Sequence, residues 1–351
     1  MKEYRKIGDL VDLIDERNKD EKVKILIGVS IDKCFIKSVA NTIGTDLSKY
    51  QVIRKNDFAC SLMQVSRDGK IPIACLKDYD EAIMSPAYYI FRIKNTEEIL
   101  PDYMAMWFMR PEFDREASYI AVGGVRGSMP WEDFCDMKLP VPPLNEQQKI
   151  VDTYNAITNR IRIKQKINEN LEKTAQAIYK KMFIEDKGKN ATLADIYQFQ
   201  YGKGNNNPNN GGKYPIYGSN GVIGGFTEFN AENIPVIGHI GSCGSLCFAF
   251  GKCYVTYNGI MCYIKNSGYK YFGYFTLKSL NLLEQVRGST QPFISYDMLY
   301  EMKIFMPIED NTIQEFEVKA NTIMNNINNN NEDIRKLEKL KNIVVSQISK
   351  R

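Results

Sequence analysis

The sequence predicts an α+β chain: two mixed α/β domains separated by two long antiparallel coiled-coil helices, with an internal pseudo-two-fold repeat. Three observations carry that expectation. Val-Arg-Gly-Ser occurs twice, at 125–128 and 286–289, and each copy is followed by Met-Lys-Leu (137–139) or Met-Lys-Ile (302–304) and then by proline. The offset is 161 residues at the first match and 165 at the second, so the copies differ by a four-residue insertion. After the prolines, each copy runs into about 40 residues whose apolar side chains recur in steps of three and four, the signature of a coiled coil.

The boundaries follow from that pattern. Residues 1–143 form a first domain, 144–185 a central spacer helix, 186–308 a second domain and 309–351 a C-terminal spacer helix. Pro140, Pro142 and Pro143 stop the chain before the first helix, and Pro307 does so before the second. In the first helix the seam reads Ile150, Tyr154, Ile157, Ile161, Leu171, Ile178 and Met182. The second, 166 residues further on, reads Phe316, Ile323, Ile327, Ile334, Leu337, Val344 and Ile348. Lys164 and Asn330 correspond under this offset and interrupt both seams midway, where a polar pair can fix register at some cost in stability and a solvated gap is the alternative. At 1.5 Å per residue, each helix is roughly 60 Å long.

The second domain contains "YGKGNNNPNNGG" and then "KYPIYGSNGVIGGF" at 213–226. Its glycines permit positive backbone dihedrals, and Asn220-Gly221 is a strong hairpin signal between β-prone neighbours. Short strands joined by tight, exposed loops are expected. No G-x-G-x-x-G enters a helix, and no glycine loop ends in Gly-Lys-Ser/Thr to cradle phosphates.

At 351 residues, with 44% hydrophobic and 25% charged side chains, the chain has globular composition and length for two or more cores. The first twenty residues are charged throughout, and no apolar run approaches the roughly 18 residues of a membrane span, so a cytoplasmic location is the default. The net charge is only +4: residues 1–143 carry 21 basic and 23 acidic side chains, whereas 186–308 carry 10 and 7. Any DNA contact must come from local patches rather than a mean field. Eight cysteines occur without a Cys-x-x-Cys pair, which points to reduced thiols. Cys243, Cys247, Cys253 and Cys262 lie near the only histidine, His239, but their spacing fits no common zinc module, and no metal site is expected.

"LPVPPLNEQQKIV" from Leu139, "KYPIYGSNGVIGGF", "VIGHIGSCGSLCF" from Val236 and the two "VRGS" segments resemble the specificity (S) subunit of a Type I restriction-modification system, over essentially the whole chain. The first stretch is the most specific, because helices in that family open with Pro-Pro-Leu, a two-residue step and Glu-Gln. The second copy, "FMPIEDNTIQEF", departs from it, with one proline and no Glu-Gln pair. The resemblance implies a DNA-binding scaffold without chemistry of its own. Two target-recognition domains would each read one half of a bipartite, asymmetric target in double-stranded DNA, and the helices would set the spacer between the halves. Two methyltransferase subunits would bind the scaffold, supplying S-adenosylmethionine for adenine methylation. Motor-nuclease restriction subunits, using ATP and Mg, could join; this chain itself would hold no cofactor.

Under that resemblance the base-reading and phosphate-positioning candidates are amides, guanidiniums, lysines and hydroxyls. In the second head they are Lys203, Asn205, Asn206, Ser219, Asn220, Asn258, Arg287, Ser289 and Gln291. In the first they are Lys37, Asn41, Arg54, Lys55, Gln64, Arg67, Arg126 and Ser128. An exposed asparagine is more often a solvated turn residue, so Arg126 and Arg287, which recur in both heads, stand out. Tyr201, Tyr217 and Tyr257 could line a groove.

Three other readings stay open. An enzyme acting alone on nucleic acid would need an Asn/Asp-Pro-Pro-aromatic loop, yet the only Pro-Pro pair opens a helix; a nuclease Glu-x-Lys, as in "EVK" from Glu317, falls inside the heptads. One histidine gives acid-base or triad chemistry little to stand on. Within the family, the partner could be a fused methyltransferase-nuclease. Outside it, a coiled-coil interaction scaffold without a DNA role would explain the helices but not the two similar heads.

Overall fold

The computed structural model describes residues 3–38, 45–63, 65–123, 127–183, 188–204, 209–288, 292–307 and 310–348. The chain packs as two compact units, Met1–Ile161 with Arg335–Arg351, and Arg162–Ile334, so each unit holds a stretch of both long helices.

In chain order the first unit contains β1 (Tyr4–Lys6), α1 (Ile7–Leu10), β2 (Val11–Ile14), β3 (Ile27–Val29), β4 (Phe35–Lys37), β5 (Gln51–Arg54), β6 (Phe58–Cys60), α2 (Val65–Asp68), β7 (Ile73–Cys75), β8 (Glu81–Met84) and β9 (Tyr89–Ile93). The helices α3 (Pro101–Phe108), α4 (Pro111–Ile120) and α5 (Trp131–Asp136) follow, then β10 (Lys138–Pro140) and the first long helix, α6 (Leu144–Phe183). The second unit contains β11 (Lys189–Thr192), α7 (Leu193–Ile196), β12 (Tyr197–Tyr201), β13 (Tyr214–Gly218), β14 (Gly221–Phe226), β15 (Ala231–Gly238), β16 (Leu246–Val255) and β17 (Gly259–Ile264). It continues with α8 (Lys270–Ser279), α9 (Tyr296–Tyr300), β18 (Lys303–Met306) and the second long helix, α10 (Asp310–Gln347).

The repeat is deeper in structure than in sequence. One four-stranded sheet has the order β2-β9-β6-β7, and the six-stranded sheet begins β12-β17-β15-β16 before adding β13 and β14. The shared strands pair antiparallel throughout in both units. Each unit is also closed by its first strand, because β1 pairs with β10 and β11 pairs with β18, both antiparallel. The next amide repeats too: Ile7 N–H donates to Met137 O (2.8 Å) and Leu193 N–H to Met302 O (3.0 Å). The Met-Lys-Leu and Met-Lys-Ile repeats are therefore the strands that lead into the long helices.

Aromatic side chains fill the space between sheet and helices. In the first unit Phe58 and Phe91 stack at 5.2 Å between ring centroids, with Phe108, Phe113 and Phe134 around them. In the second, Tyr179, Phe183, Phe272, Phe275 and Phe316 pack together. Burial of each such ring is worth about 1.5–3 kcal/mol.

The proline-rich opening of α6 has a mechanical reason. Gln147 is fully buried, its Oε1 accepting from Leu100 N–H (2.9 Å) and its Nε2 donating to Glu98 O (2.9 Å) and Pro142 O (2.8 Å). This side chain ties the long helix to the turn before α3. In the second unit Ile313 takes the corresponding position, and the tie moves one turn along, to Glu317. One Glu317 carboxylate oxygen accepts from Tyr271 N–H (2.7 Å) and Phe272 N–H (2.6 Å), capping the first turn of α8.

All fourteen seam residues named from the heptads are buried or half-buried. Within the second unit the long helices run antiparallel: Lys164 Nζ donates to Asn330 Oδ1 (3.0 Å) and pairs with Asp333 (2.9 Å), while Asn168 bonds Asn331 (2.8 Å) and Asn330 (2.9 Å). Toward their domain ends these helices are core helices rather than a bare seam. Tyr179, Phe183 and Met324, outside the heptad phase, are at most 6% exposed and face the domain.

Replacing Gln147 by Ala strands three backbone groups, that of Pro142 buried, and is expected to cost about 2–4 kcal/mol in urea unfolding. Glu317 gives a pH signature. Burial raises its carboxyl pKa above the ordinary 4.5, against the pull of the two amides. The folded state then holds the proton more tightly, so its stability falls as pH rises from about 4.5 through the folded pKa. Measured against Glu317→Gln, the stability difference should decline over that window and level off above it.

Candidate nucleic-acid interface

In each unit a Val-Arg-Gly-Ser segment lies against the loop that joins the third and fourth strands of the shared sheet. In the first unit that loop is 61–72. A Cβ on Gly127 would meet Ser66 Oγ, and Met129 N–H donates to Leu62 O (2.9 Å). The second unit uses loop 239–245: Arg287 and Phe293 exchange two backbone bonds (3.0 and 2.9 Å), and Ile240 bridges to Phe293. The glycine after the arginine has positive φ both times, 74° at Gly127 and 89° at Gly288. A conformation costly for other residues thus recurs at equivalent places.

Around loop 239–245 the second unit gathers several of the residues named from sequence. Ser245 Oγ donates to Ser219 O, and Asn258 O accepts from His239 N–H (2.8 Å). Lys203 bridges to Thr256, just before the turn that carries Tyr257 and Asn258. Lys203, Asn220, Asn258 and Arg287 are exposed, and Ser219 is half-exposed. Lys203 and Arg287 form no ion pair with a described residue. The β13–β14 turn differs in detail from the sequence reading: Gly218 pairs with Gly221 across Ser219 and Asn220, and the positive φ (84°) falls on Gly221, so the turn lies one residue earlier than an Asn-Gly turn.

An aromatic group lies beside these loops. Tyr201 is 4.4 Å from His239, 5.6 Å from Tyr257 and 4.6 Å from Tyr296, centroid to centroid. Tyr257 is 37% exposed, which leaves a ring face to solvent, whereas Tyr217 is core. His239 Nδ1 faces Ile294 O at 2.6 Å, which puts the proton on Nδ1 and leaves Nε2 as an acceptor. The histidine and Tyr296 went unrecognised in the sequence, where His239 was weighed only as a metal ligand. Cys243 Sγ donates to His239 O and Pro292 O. Among the described residues no three His, Cys, Asp or Glu side chains form a metal-binding group.

The first-unit candidates are spread more widely. Arg67 and Ser128 flank the contact between loop 61–72 and the Val-Arg-Gly-Ser segment. Lys37 ends β4, Arg54 ends β5 on another sheet, and Lys55 follows it. Arg54 is held by Glu16 (2.5 Å) and Glu81 (3.1 Å), Lys55 by Asp80 (3.6 Å) and Arg67 by Asp68 (2.7 Å). Asn41, Gln64, Arg126, Asn205, Asn206, Ser289 and Gln291 lie outside the described residues.

Two sheets of one topology, each with a left-handed glycine against the same loop and each running into a long helix, define a tandem-repeat scaffold. Residues 2–173 match the family described as Type I restriction modification DNA specificity domain. The specificity subunit of the Type I restriction enzyme MjaVIII from Methanocaldococcus jannaschii is 30% identical over 153 residues, 43% of this chain and 36% of that protein. That of the HindI enzyme from Haemophilus influenzae is 24% identical over 110 residues, 31% and 24% of the two lengths. The matches span about a third or less of those curated relatives. A Type I restriction-modification S subunit from M. genitalium shares the fold over 99% of this chain and 96% of its own, with a TM-score of 0.58 and 17% identity.

Alanine at Lys203 or Arg287 is expected to weaken duplex binding and to lower the slope of log affinity against log salt by about 1 each. Alanine at Arg54, already neutralised by two carboxylates, should leave that slope unchanged. Salt titrations by fluorescence anisotropy with a DNA duplex separate the two cases.

Proposed function

We propose that the chain is the DNA specificity subunit of a Type I restriction-modification complex, and that each unit reads one half of a bipartite, asymmetric target. The observation that carries this reading is the repeated sheet with its Val-Arg-Gly-Ser segment, of which the first copy lies in a family described by DNA specificity. In the second copy Arg287 is exposed beside the left-handed Gly288, so backbone and guanidinium can approach a duplex together. Exposed loops with asparagine, serine and lysine supply amide and phosphate contacts in the second unit. Their counterparts in the first unit differ in sequence, which favours unlike half-sites.

In this reading the chain has no chemistry of its own. Methyltransferase subunits dock on the long helices and bring S-adenosylmethionine; motor-nuclease subunits with ATP and Mg, or a methyltransferase-nuclease fusion, complete the complex. Exposed apolar side chains on the helices support docking: Ile163 and Ile167 lie one turn apart on α6, and Leu340 and Ile343 are neighbours on α10. The helix pair sets the spacer between half-sites, as dimer geometry sets half-site spacing in smaller DNA readers. A scaffold without a DNA role would not call for the arginine-glycine segment at equivalent places in two heads.

The test is co-expression with the methyltransferase encoded beside it in a methylation-free host, followed by single-molecule sequencing for methyladenine. A split motif with two unlike halves and a fixed gap is expected. Removing matched heptads from both helices should then shorten the gap and leave the half-sites alone; altered half-sites with an unchanged gap would reject the spacer role.

A further inference from the structure

Arg110 is the least satisfied charge in the first unit. Its side chain is 5% exposed, its guanidinium stacks 4.0 Å over the Trp107 ring, and it makes no hydrogen bond to a described residue. Its Nε is buried without an acceptor. The ionic contact it has is a 3.5 Å approach to half-exposed Glu112, which Arg115 shares at 3.2 Å. Burial lowers its pKa below the ordinary guanidinium value, and the opposing pull of Glu112 and Glu116 does not make up the lost hydration. A guanidinium brings five donors in a planar fork, and a buried one left without an acceptor is costly.

Arg110 lines a groove of about 740 Å³, a volume typical of sites for small ligands or inserted side chains. It is the N-cap residue of α4, a ten-residue helix whose first turn forms one wall and whose N-terminus has no side-chain cap. Lys70 and Lys341 also line the groove, and neither makes an ion pair with a described residue. The groove's other lysine, Lys33, is spent internally: it pairs with Asp114 at 2.7 Å, both side chains at most 9% exposed. Three basic side chains, one with a buried donor left without an acceptor, thus converge on one opening.

The repeat shows that the fold does not require this arrangement. Moved back 166 residues, the groove-lining Val345 becomes Tyr179. In the second unit that position is closed by rings: Tyr179 packs on Phe183 at 5.0 Å and on Phe316 at 5.6 Å. One copy fills the space with its own side chains; the other keeps a groove and a stranded cation.

We propose that this groove is a binding site for an oxyanion, a phosphate or carboxylate group, which the Arg110 guanidinium holds with Lys70 and Lys341 beside it. Bidentate recognition of either group is what the guanidinium fork suits. The two sources are a free phosphate or phosphate ester and a carboxylate side chain of a partner subunit. Duplex DNA is disfavoured because a guanidinium this deep is out of reach of a phosphate on a wide rod.

The test uses the full chain carrying Trp131→Phe, which leaves Trp107, under Arg110, as its only tryptophan. Sodium phosphate and ADP are titrated at matched ionic strength while Trp107 fluorescence is followed. A saturable change, weakened at least tenfold by Arg110→Met and by Lys341→Glu, is the result expected for a free phosphate source. Lys341→Glu leaves the Arg110–Trp107 stack intact, so it carries the test if Arg110→Met fails to fold. A second arm measures affinity for the methyltransferase subunit: a tenfold loss in both variants, with phosphate competing, assigns the oxyanion to the partner's carboxylate. No saturable response together with unchanged subunit affinity overturns the site. Loss of duplex affinity alone overturns it as well, by assigning Arg110 to the DNA backbone.

Discussion

The antiparallel ladder between the first strand of each head and the strand that becomes its long helix is the constraint on which the other features depend. Three residue pairs make it in the first unit, from Tyr4 opposite Pro140 to Lys6 opposite Lys138, and four in the second, from Lys189 opposite Met306 to Thr192 opposite Lys303. Such a ladder fixes direction as well as position, since slipping it by one residue would turn Leu139 or Ile304 out of the core. It brings the two ends of a head together, so the loops between strands are free to differ without altering how the helix leaves.

The same junction is secured by different chemistry in the two copies. Gln147 uses both ends of a neutral amide to hold three backbone groups, which suits a fully enclosed position. Glu317 meets two amides of a helix N-terminus and stays half-buried, where those amides offset part of the cost of burying its carboxylate. The helix pair adds its own constraint. Lys164 meets Asn330, its counterpart under the 166-residue offset, as a residue near the two-fold of an antiparallel pair should. Asn168, Asn331 and Asp333 complete a polar layer whose partners would be lost in another register.

The repeat and the long helices were legible because they leave periodic marks: Val-Arg-Gly-Ser, Met-Lys-Leu against Met-Lys-Ile, and the steps of three and four. The shared sheet topology was not. β2-β9-β6-β7 and β12-β17-β15-β16 have unlike sequences, because a strand buried against helices needs apolar residues but no particular ones. A faint signal was present in Ile-Gly-Asp-Leu at 7–10 and Leu-Ala-Asp-Ile at 193–196, the two short helices after the first strands. The candidate interface was half legible. Glycine turns marked the loops, but the gathering of Tyr201, His239, Tyr257 and Tyr296 joins four distant segments and no local pattern announces it. Equally, sequence could not distinguish Arg54, neutralised by Glu16 and Glu81, from Arg287, which stands free of any described carboxylate.

That difference bears on how two similar heads can play unequal parts. The first head has a slight excess of acidic over basic side chains, and, Lys37 apart, its described candidate cations Arg54, Lys55 and Arg67 are paired with carboxylates on its own surface. Such cations contribute little to a phosphate-driven encounter, because breaking a surface pair to make a phosphate contact returns only the difference between two similar screened interactions. The second head keeps Lys203 and Arg287 uncommitted and adds a half-open aromatic group beside them. On these grounds the second unit should supply more of the salt-dependent affinity, and the first should rely more on shape and on the segment where its own arginine-glycine repeat meets loop 61–72.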